Sequence, residues 1–215
     1  MKIVCLSDTH GRHREIPDLP DGDVLLHAGD ACNFGTLNEI ADFADWFRAQ
    51  PHRHKILIAG NHDWPFHRGG RAARDLMHGI HYLEDIGCEV AGVRFWGSPW
   101  QPEFCNWAFN VPRGPELARI WQRIPADVQI LATHGPAFSI LDANREGKSV
   151  GCRDLLDRLQ SLPSLRVHVF GHIHEGRGSR FVEPQGYMAI NASSVDRDYQ
   201  LHPIPWTLIT DEPSA

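Results

Sequence analysis

Short apolar runs recur along the chain, and five of them break off abruptly into polar residues: KIVCLSDTH, VLLHAGD, ILIAGNHD, ILATHGP and VHVFGHIH. Each run has the length of a buried strand, with the polar part at its end. The pattern predicts strands over 2–6, 24–28, 55–59, 129–133 and 166–170. A loop rich in Pro and Asp separates the first two. The period then turns helical at Leu37, Ile40, Ala41, Phe43, Ala44 and Phe47. Thr36 and Glu39 form a capping box at the start of that helix, and Gln50-Pro51 stops it. Further helices are predicted over 71–78, closed by Gly79, from Pro115 to about Arg123, and over 153–160. Three short strands at 81–83, 89–91 and 93–96 suggest an antiparallel stretch, and 180–182 with 187–191 a hairpin. The tail from Asp211 reads as polar and frayed. Mixed strands with interspersed helices imply two packed sheets flanked by helices.

If the five strands share a sheet, Asp8, His10, Asp30, Asn61, His134, His172 and His174 gather along one rim. Open α/β sheets carry their sites beyond the carboxyl ends of the strands. Asp8 and His10, two apart, would point the same way in a strand, as would His172 and His174. Asp30 follows Gly29, whose small size admits close approach, and is the candidate bridging carboxylate. Seven oxygen and nitrogen ligands suit two adjacent metal ions sharing one carboxylate. Each motif alone is commonplace, since an Asp after a strand is usually a turn residue or helix cap. Five at successive strand ends change that reading. Mixed nitrogen and oxygen ligands without thiolate suit Mn2+, Fe or Zn2+.

The 215 residues suit one large domain or two small ones. The candidate ligands span Asp8 to His174 with no Gly/Ser/Pro-rich linker between them, so a single domain over 1–215 is expected. Net charge is −6 and the isoelectric point about 6.1. That balance lacks the basic footprint of a nucleic-acid binder, so a DNA or RNA polymer is a poor partner. The 5 cysteines are scattered and never in CxxC spacing. This usage points to a reducing compartment, with Cys5 in the core and Cys32 outside the ligand set. Met1 leads straight into a strand and no apolar run approaches a membrane span of about 20 residues. A cytoplasmic protein without a membrane partner is expected.

The motifs DTH (Asp8–His10), GD (Gly29–Asp30), GNHD (Gly60–Asp63), THG (Thr133–Gly135) and GHIH (Gly171–His174) resemble, in order, those of the calcineurin-like metallophosphoesterase superfamily. GSPWQPEFCNWAFNVPRG, GHIHEG and INAS are similar to the metallophosphoesterase-domain (MPPED) subgroup. Some members of that subgroup carry glycine at the first histidine of GHIH, which weakens one metal site, whereas this chain has His172. The resemblance implies a four-layer α/β/β/α sandwich with two mixed sheets. It implies that Asp8, His10, Asp30 and His174 hold one divalent ion and that Asp30, Asn61, His134 and His172 hold a second, with Mn2+ favoured. His62 resembles the family's catalytic histidine, facing the leaving oxygen.

Two cations about 3.5–4 Å apart would neutralise phosphoryl oxygens and orient a bridging hydroxide for in-line attack. His62 would then protonate the leaving alkoxide, with Asp63 either orienting it or serving as a turn residue. The leading expectation is a phosphodiesterase acting on small phosphodiesters, cyclic nucleotides among them. The alternatives are a phosphomonoesterase, a non-catalytic metal-binding scaffold, and a metal-dependent hydrolase of a non-phosphate substrate. Around the rim, Asn106, Trp107 and Phe109 are either substrate stackers or loop core. Arg12, Arg145 and Lys148 are either phosphate ligands or solvated surface.

Overall fold

The computed structural model describes residues 1–202 and 205–209. In chain order the first part contains β1 (Lys2–Leu6), β2 (Val24–Ala28), α1 (Leu37–Ala49), β3 (His54–Ile58), α2 (Trp64–His67), α3 (Arg71–Asp75) and β4 (His81–Tyr82). There follow β5 (Ile86–Val90), β6 (Val93–Ser98), the small pair β7 (Gln101–Pro102) and β8 (Asn110–Val111), and α4 (Pro115–Trp121). The remainder is β9 (Ile130–Thr133), α5 (Arg153–Leu159), β10 (Val167–Phe170), β11 (Gly178–Val182), β12 (Tyr187–Asn191) and β13 (Trp206–Ile209).

One sheet has the order β13-β1-β2-β3-β4, and a second has β11-β12-β10-β9-β6-β5. In the first, β1 to β4 run parallel and only β13 is antiparallel. In the second, β12, β10, β9 and β6 are parallel between antiparallel edges. Strand side chains alternate between faces, and here both faces are covered. Ile3, Cys5, Leu26 and Ile56 join Phe95, Ile130, Val169 and Ile190 in a core between the sheets. Val4, Leu6, Leu25 and Leu57 pack instead on Ile40, Phe43, Ala44 and Phe47 of α1. On the far side Leu131, Phe170 and Ala189 pack on Leu117 and Trp121 of α4 and Leu155 and Leu159 of α5. The result is the four-layer α/β/β/α sandwich. It explains why β1 and β2 are apolar at nearly every position rather than at alternate ones.

α1 forms as its sequence dictates. The Thr36 hydroxyl accepts from Glu39 N at 3.2 Å, and the Glu39 carboxylate accepts from Thr36 N at 2.9 Å. Leu37 lies outside the buried stripe and is exposed.

Three expectations change. β4 pairs parallel with β3 in the first sheet, not within the antiparallel stretch, because α2 and α3 form a crossover between them. α3 ends at Asp75, and turns carry the chain on to Gly79. β13 lies outside the expected elements: it is an edge strand antiparallel to β1, and its four residues are too few for Trp206, Leu208 and Ile209 to establish a period. The polar tail from about 211 lies outside the described residues. Leu26 is fully buried between the sheets. Leu26→Ala is expected to lower unfolding free energy by about 2–5 kcal/mol in chemical denaturation.

Candidate metal centre

The eight sequence-predicted residues come together, but not on one sheet. Asp8, Asp30, Asn61 and His62 follow β1, β2 and β3, whereas His134 and His172 follow β9 and β10 of the other sheet. The site therefore lies where the carboxyl ends of both sheets meet. Nor does strand pleat aim Asp8 and His10, since β1 ends at Leu6. Asp8 and His10 adopt left-handed φ values of 53° and 45°, Asp30 57° and His172 68°. Such conformations are costly for residues with a Cβ and concentrate at functional sites.

The glycines of the motifs are required by close approach. A Cβ on Gly29 would lie 2.6 Å from His134 Nδ1. One on Gly60 would collide with the Asp30 carboxylate, and one on Gly171 with the Asp8 carboxylate and the Ser7 hydroxyl. Each carboxylate or imidazole thus sits directly against a neighbouring backbone.

The ligand atoms of Asp8, His10 and His174 lie within 4.8 Å of one another, as do those of Asp30, His134 and His172 and those of His10, Asp30 and His62. His174 Nε2 is 3.4 Å from Asp8 Oδ1 and 3.3 Å from His10 Nε2. His134 Nε2 is 3.4 Å from Asp30 Oδ2 and 2.9 Å from Asn61 Oδ1. Asp30 Oδ2 is also 3.9 Å from His10 Nε2, so this carboxylate stands between the two groups.

Residues outside the cleft hold this arrangement. The buried Asp63 carboxylate accepts from the backbone N–H of Asp30 (2.9 Å), Ala31 (3.3 Å), Cys32 (2.9 Å) and Gly60 (2.8 Å). It tethers the loop after β2 to the loop after β3 rather than orienting the His62 ring. That ring donates from Nδ1 to the Asn33 carbonyl at 2.7 Å, and its backbone N–H donates to Asp30 Oδ1 at 2.8 Å. Asp8 accepts from His172 N at 3.0 Å and from the Ser193 hydroxyl at 3.0 Å. Asn191 in turn donates to the Ile173 carbonyl at 2.7 Å. The INAS segment therefore braces the first carboxylate, a role the sequence signals only through the motif's resemblance to the subgroup.

Arg12 is engaged elsewhere, with Glu15 and the Tyr199 carbonyl. Lys148 pairs with Glu146 at the surface. Arg145 does line the cleft, together with Phe104, Glu175, Arg197 and Tyr199. Trp107 stacks on His62 at 4.2 Å between ring centroids, Phe109 is buried against Trp100 and His67, and Asn106 is exposed.

The model of the family described as calcineurin-like phosphoesterase matches residues 1–176. The chain belongs to this family. It is 38% identical to Metallophosphoesterase domain-containing protein 1 of Homo sapiens, over 99% of this chain and 71% of that protein. It is 33% identical to UPF0046 protein K07C11.7 of Caenorhabditis elegans, over 95% of this chain and 73% of the relative. Among solved structures, a phosphopantetheinyl hydrolase from Mycobacterium tuberculosis superposes with TM-score 0.57 at 16% identity, covering 100% of this chain and 98% of that one. An archaeal phosphodiesterase superposes with TM-score 0.50 at 17% identity, covering 96% of this chain and 100% of that one. These two share the fold.

Members of the calcineurin-like phosphoesterase family bind divalent metals, and the donors here suit such ions. His134 donates from Nδ1 to the Ala28 carbonyl at 3.0 Å, so in the neutral ring Nε2 is a lone pair facing Asn61 Oδ1 and Asp30 Oδ2. Acceptors facing acceptors need a positive charge between them. The electrostatics agree. Burial would lower the pKa of His134, yet Asp30 and Asp8 hold it up at about 9. Burial would likewise raise Asp8, but His174, His134 and His10 hold it well below the usual carboxylate range. Burial and the charge of His134 press His172 down to about 3, leaving a neutral donor ring. Mixed oxygen and nitrogen donors without a thiolate match Mn2+, Fe or Zn2+. A partner that holds the second nitrogen of a ligating histidine in this way also fixes its orientation.

Asp63→Asn leaves one acceptor oxygen where two served four N–H groups. Unfolding in guanidinium is expected to show a loss of about 1–3 kcal/mol for each donor left unsatisfied.

Proposed function

We propose that the protein is a phosphodiesterase that hydrolyses small phosphodiesters with two divalent cations, Mn2+ first among the candidates. The observation that carries this reading is the position of Asp30, whose carboxylate lies between the group containing Asp8, His10 and His174 and the group containing His134 and His172. Asp8, His10, Asp30 and His174 would hold one ion, and Asp30, Asn61, His134 and His172 the other. When bound, such ions supply Lewis acidity toward phosphoryl oxygens and make a water nucleophile available near neutral pH.

The chain's own residues supply the rest. With Nδ1–H given to the Asn33 carbonyl, His62 keeps Nε2 for the cleft. As an imidazolium it donates to the leaving oxygen. Trp107, stacked on the ring, and the Asp30 carboxylate, bonded to the His62 backbone, keep it in place. Charge balance favours a diester over a monoester. Arg145 faces Glu175 at 3.9 Å and Asp198 at 3.7 Å, and Arg197 faces Asp198 at 3.4 Å. The two arginines of the cleft thus answer acids already present, and a diester brings one negative charge where a monoester dianion brings two. The five free cysteines fit a reducing compartment, which supports a cytoplasmic location. No helix among the described residues is long and apolar enough to cross a membrane. Cross-sheet packing of residues 3 to 192 in one core supports a single domain.

The test combines metal analysis with Mn2+-supplemented rates on a bis-aryl phosphate diester and the matching aryl monoester. Two metals per chain and faster diester turnover are expected, whereas faster monoester turnover would make the protein a phosphatase. Asp30→Ala is expected to strip most bound metal and activity. His62→Ala is expected to retain the metal and lose about 10²–10⁴ in rate. Loss of metal from the His62 variant would overturn the division of roles.

A further inference from the structure

A second cavity of about 350 Å³ adjoins the metal cleft. Its apolar walls are Pro102, Phe104, Pro136, Val150 and Ile173, and it shares Phe104 and His172 with the cleft. Nothing in the reading above uses it. We propose that this cavity receives a planar aromatic or heteroaromatic group carried by the substrate, specifically the group that stays on phosphorus. Phe104 is its specificity determinant. The proposal rests on the phosphodiesterase reading of the adjoining site.

Size and lining come first. A volume of this order, walled mostly by apolar side chains with a few placed polar groups, is that of a small-molecule site. Phe104 is 45% exposed and stands edge-to-face against His172 with centroids 5.4 Å apart. It therefore presents ring surface at the passage between cleft and cavity. Aromatic rings gain from offset or edge contacts with another ring beyond the area they bury.

The polar groups narrow the occupant further. Asn144 Oδ1 accepts from Glu146 N at 3.1 Å and Lys148 N at 2.9 Å, which fixes the amide and leaves its NH2 end as a donor. The Arg113 guanidinium is anchored by the carbonyls of Gly151 (2.8 Å) and Val150 (2.7 Å), to which it donates. Among the described residues no carboxylate lines the cavity. Donors without acidic acceptors suit a ring that carries acceptor atoms and do not suit a cationic group. His62 lines the cleft but not the cavity. The group that departs past His62 is therefore not the one seated beside His172, and the retained substituent is.

The experiment keeps the leaving group constant. The Mn2+-loaded protein is given phenyl 4-nitrophenyl phosphate and methyl 4-nitrophenyl phosphate, and kcat/KM is measured for each. The phenyl diester is expected to be favoured by roughly tenfold or more, in line with burying a ring. The ratio is expected to fall toward one in Phe104→Ala and in Val150→Trp, which fills the cavity. Phe104 is half in solvent, so its truncation does not threaten the fold. If both diesters are cleaved at similar rates, or the ratio is unmoved by both variants, the cavity proposal is wrong while the phosphodiesterase reading stands. If neither is cleaved, calorimetric titration of the Mn2+-loaded protein with phenylphosphonate and methylphosphonate decides. Tighter phenylphosphonate binding that is lost in both variants supports the cavity without the hydrolytic reading. Equal binding overturns the proposal along with that reading.

Discussion

Two sheets must close on each other at one rim, and the candidate centre exists only because they do. The His134 ring of the second sheet donates to the Ala28 carbonyl at the end of β2, and His172 N donates to Asp8 beyond β1. Ser194 N reaches the Ser7 carbonyl at 2.7 Å, and Ser193 reaches Asp8. At that rim Ala28, Ala132 and Ala192 stand in the inter-sheet core beside the larger Ile58 and Val169, the register partners of Ala28 and Ala132. The spacing of the two donor groups is thus a property of sheet packing rather than of any one loop.

Within the first sheet, a single carboxylate performs the corresponding task. Asp63 gathers N–H groups from both flanking loops, so Asp30 and Asn61 are positioned by the same anchor. The scheme continues outward. Glu39 accepts from Asn33 N at 2.8 Å, and Asn33 gives its carbonyl to His62. The capping box of α1 is therefore linked to the candidate acid through one residue. Local helix chemistry and the geometry of the cleft are one connected set of hydrogen bonds.

Much of this was legible in the chain. β1 and β2 follow from apolar runs whose faces are both buried, and α1 from Thr36, Glu39 and a helical stripe. The clustering of Asp8, Asp30, His134 and His172 follows from their places just after strands. The resemblance of the motifs pointed to the family. What escaped was set by tertiary contact. Periodicity does not say which sheet a strand joins, so the pattern alone sets the rim on one sheet and places β4 in the antiparallel stretch, whereas β4 pairs with β3. β13 escaped because four residues are too short a run to establish a period, although three of them are apolar. Asp63 reads as a turn residue in the sequence because three of its backbone partners lie 31 or more positions away, and Ser193 lies 185 positions from Asp8. Each also has a local partner: Gly60 N donates to Asp63 within the GNHD motif, and Ser193 donates to Asn191 Oδ1 within INAS.

The left-handed residues and the glycines have one common cause. A strand that continued straight would carry its side chains past the rim. Asp8, His10, Asp30 and His172 turn the chain back on itself within one or two residues. That turn brings carboxylates against the backbone of Gly60 and Gly171, where no Cβ fits. Two carboxylates buried this way are stable as anions only if positive charge lies beside them. In the protein alone, that charge is the proton held on His134 and favoured on His174. A divalent cation would satisfy the same need with more charge and more bonds. The backbone turns, the glycines and the raised histidine therefore all follow from bringing anionic oxygens together out of water.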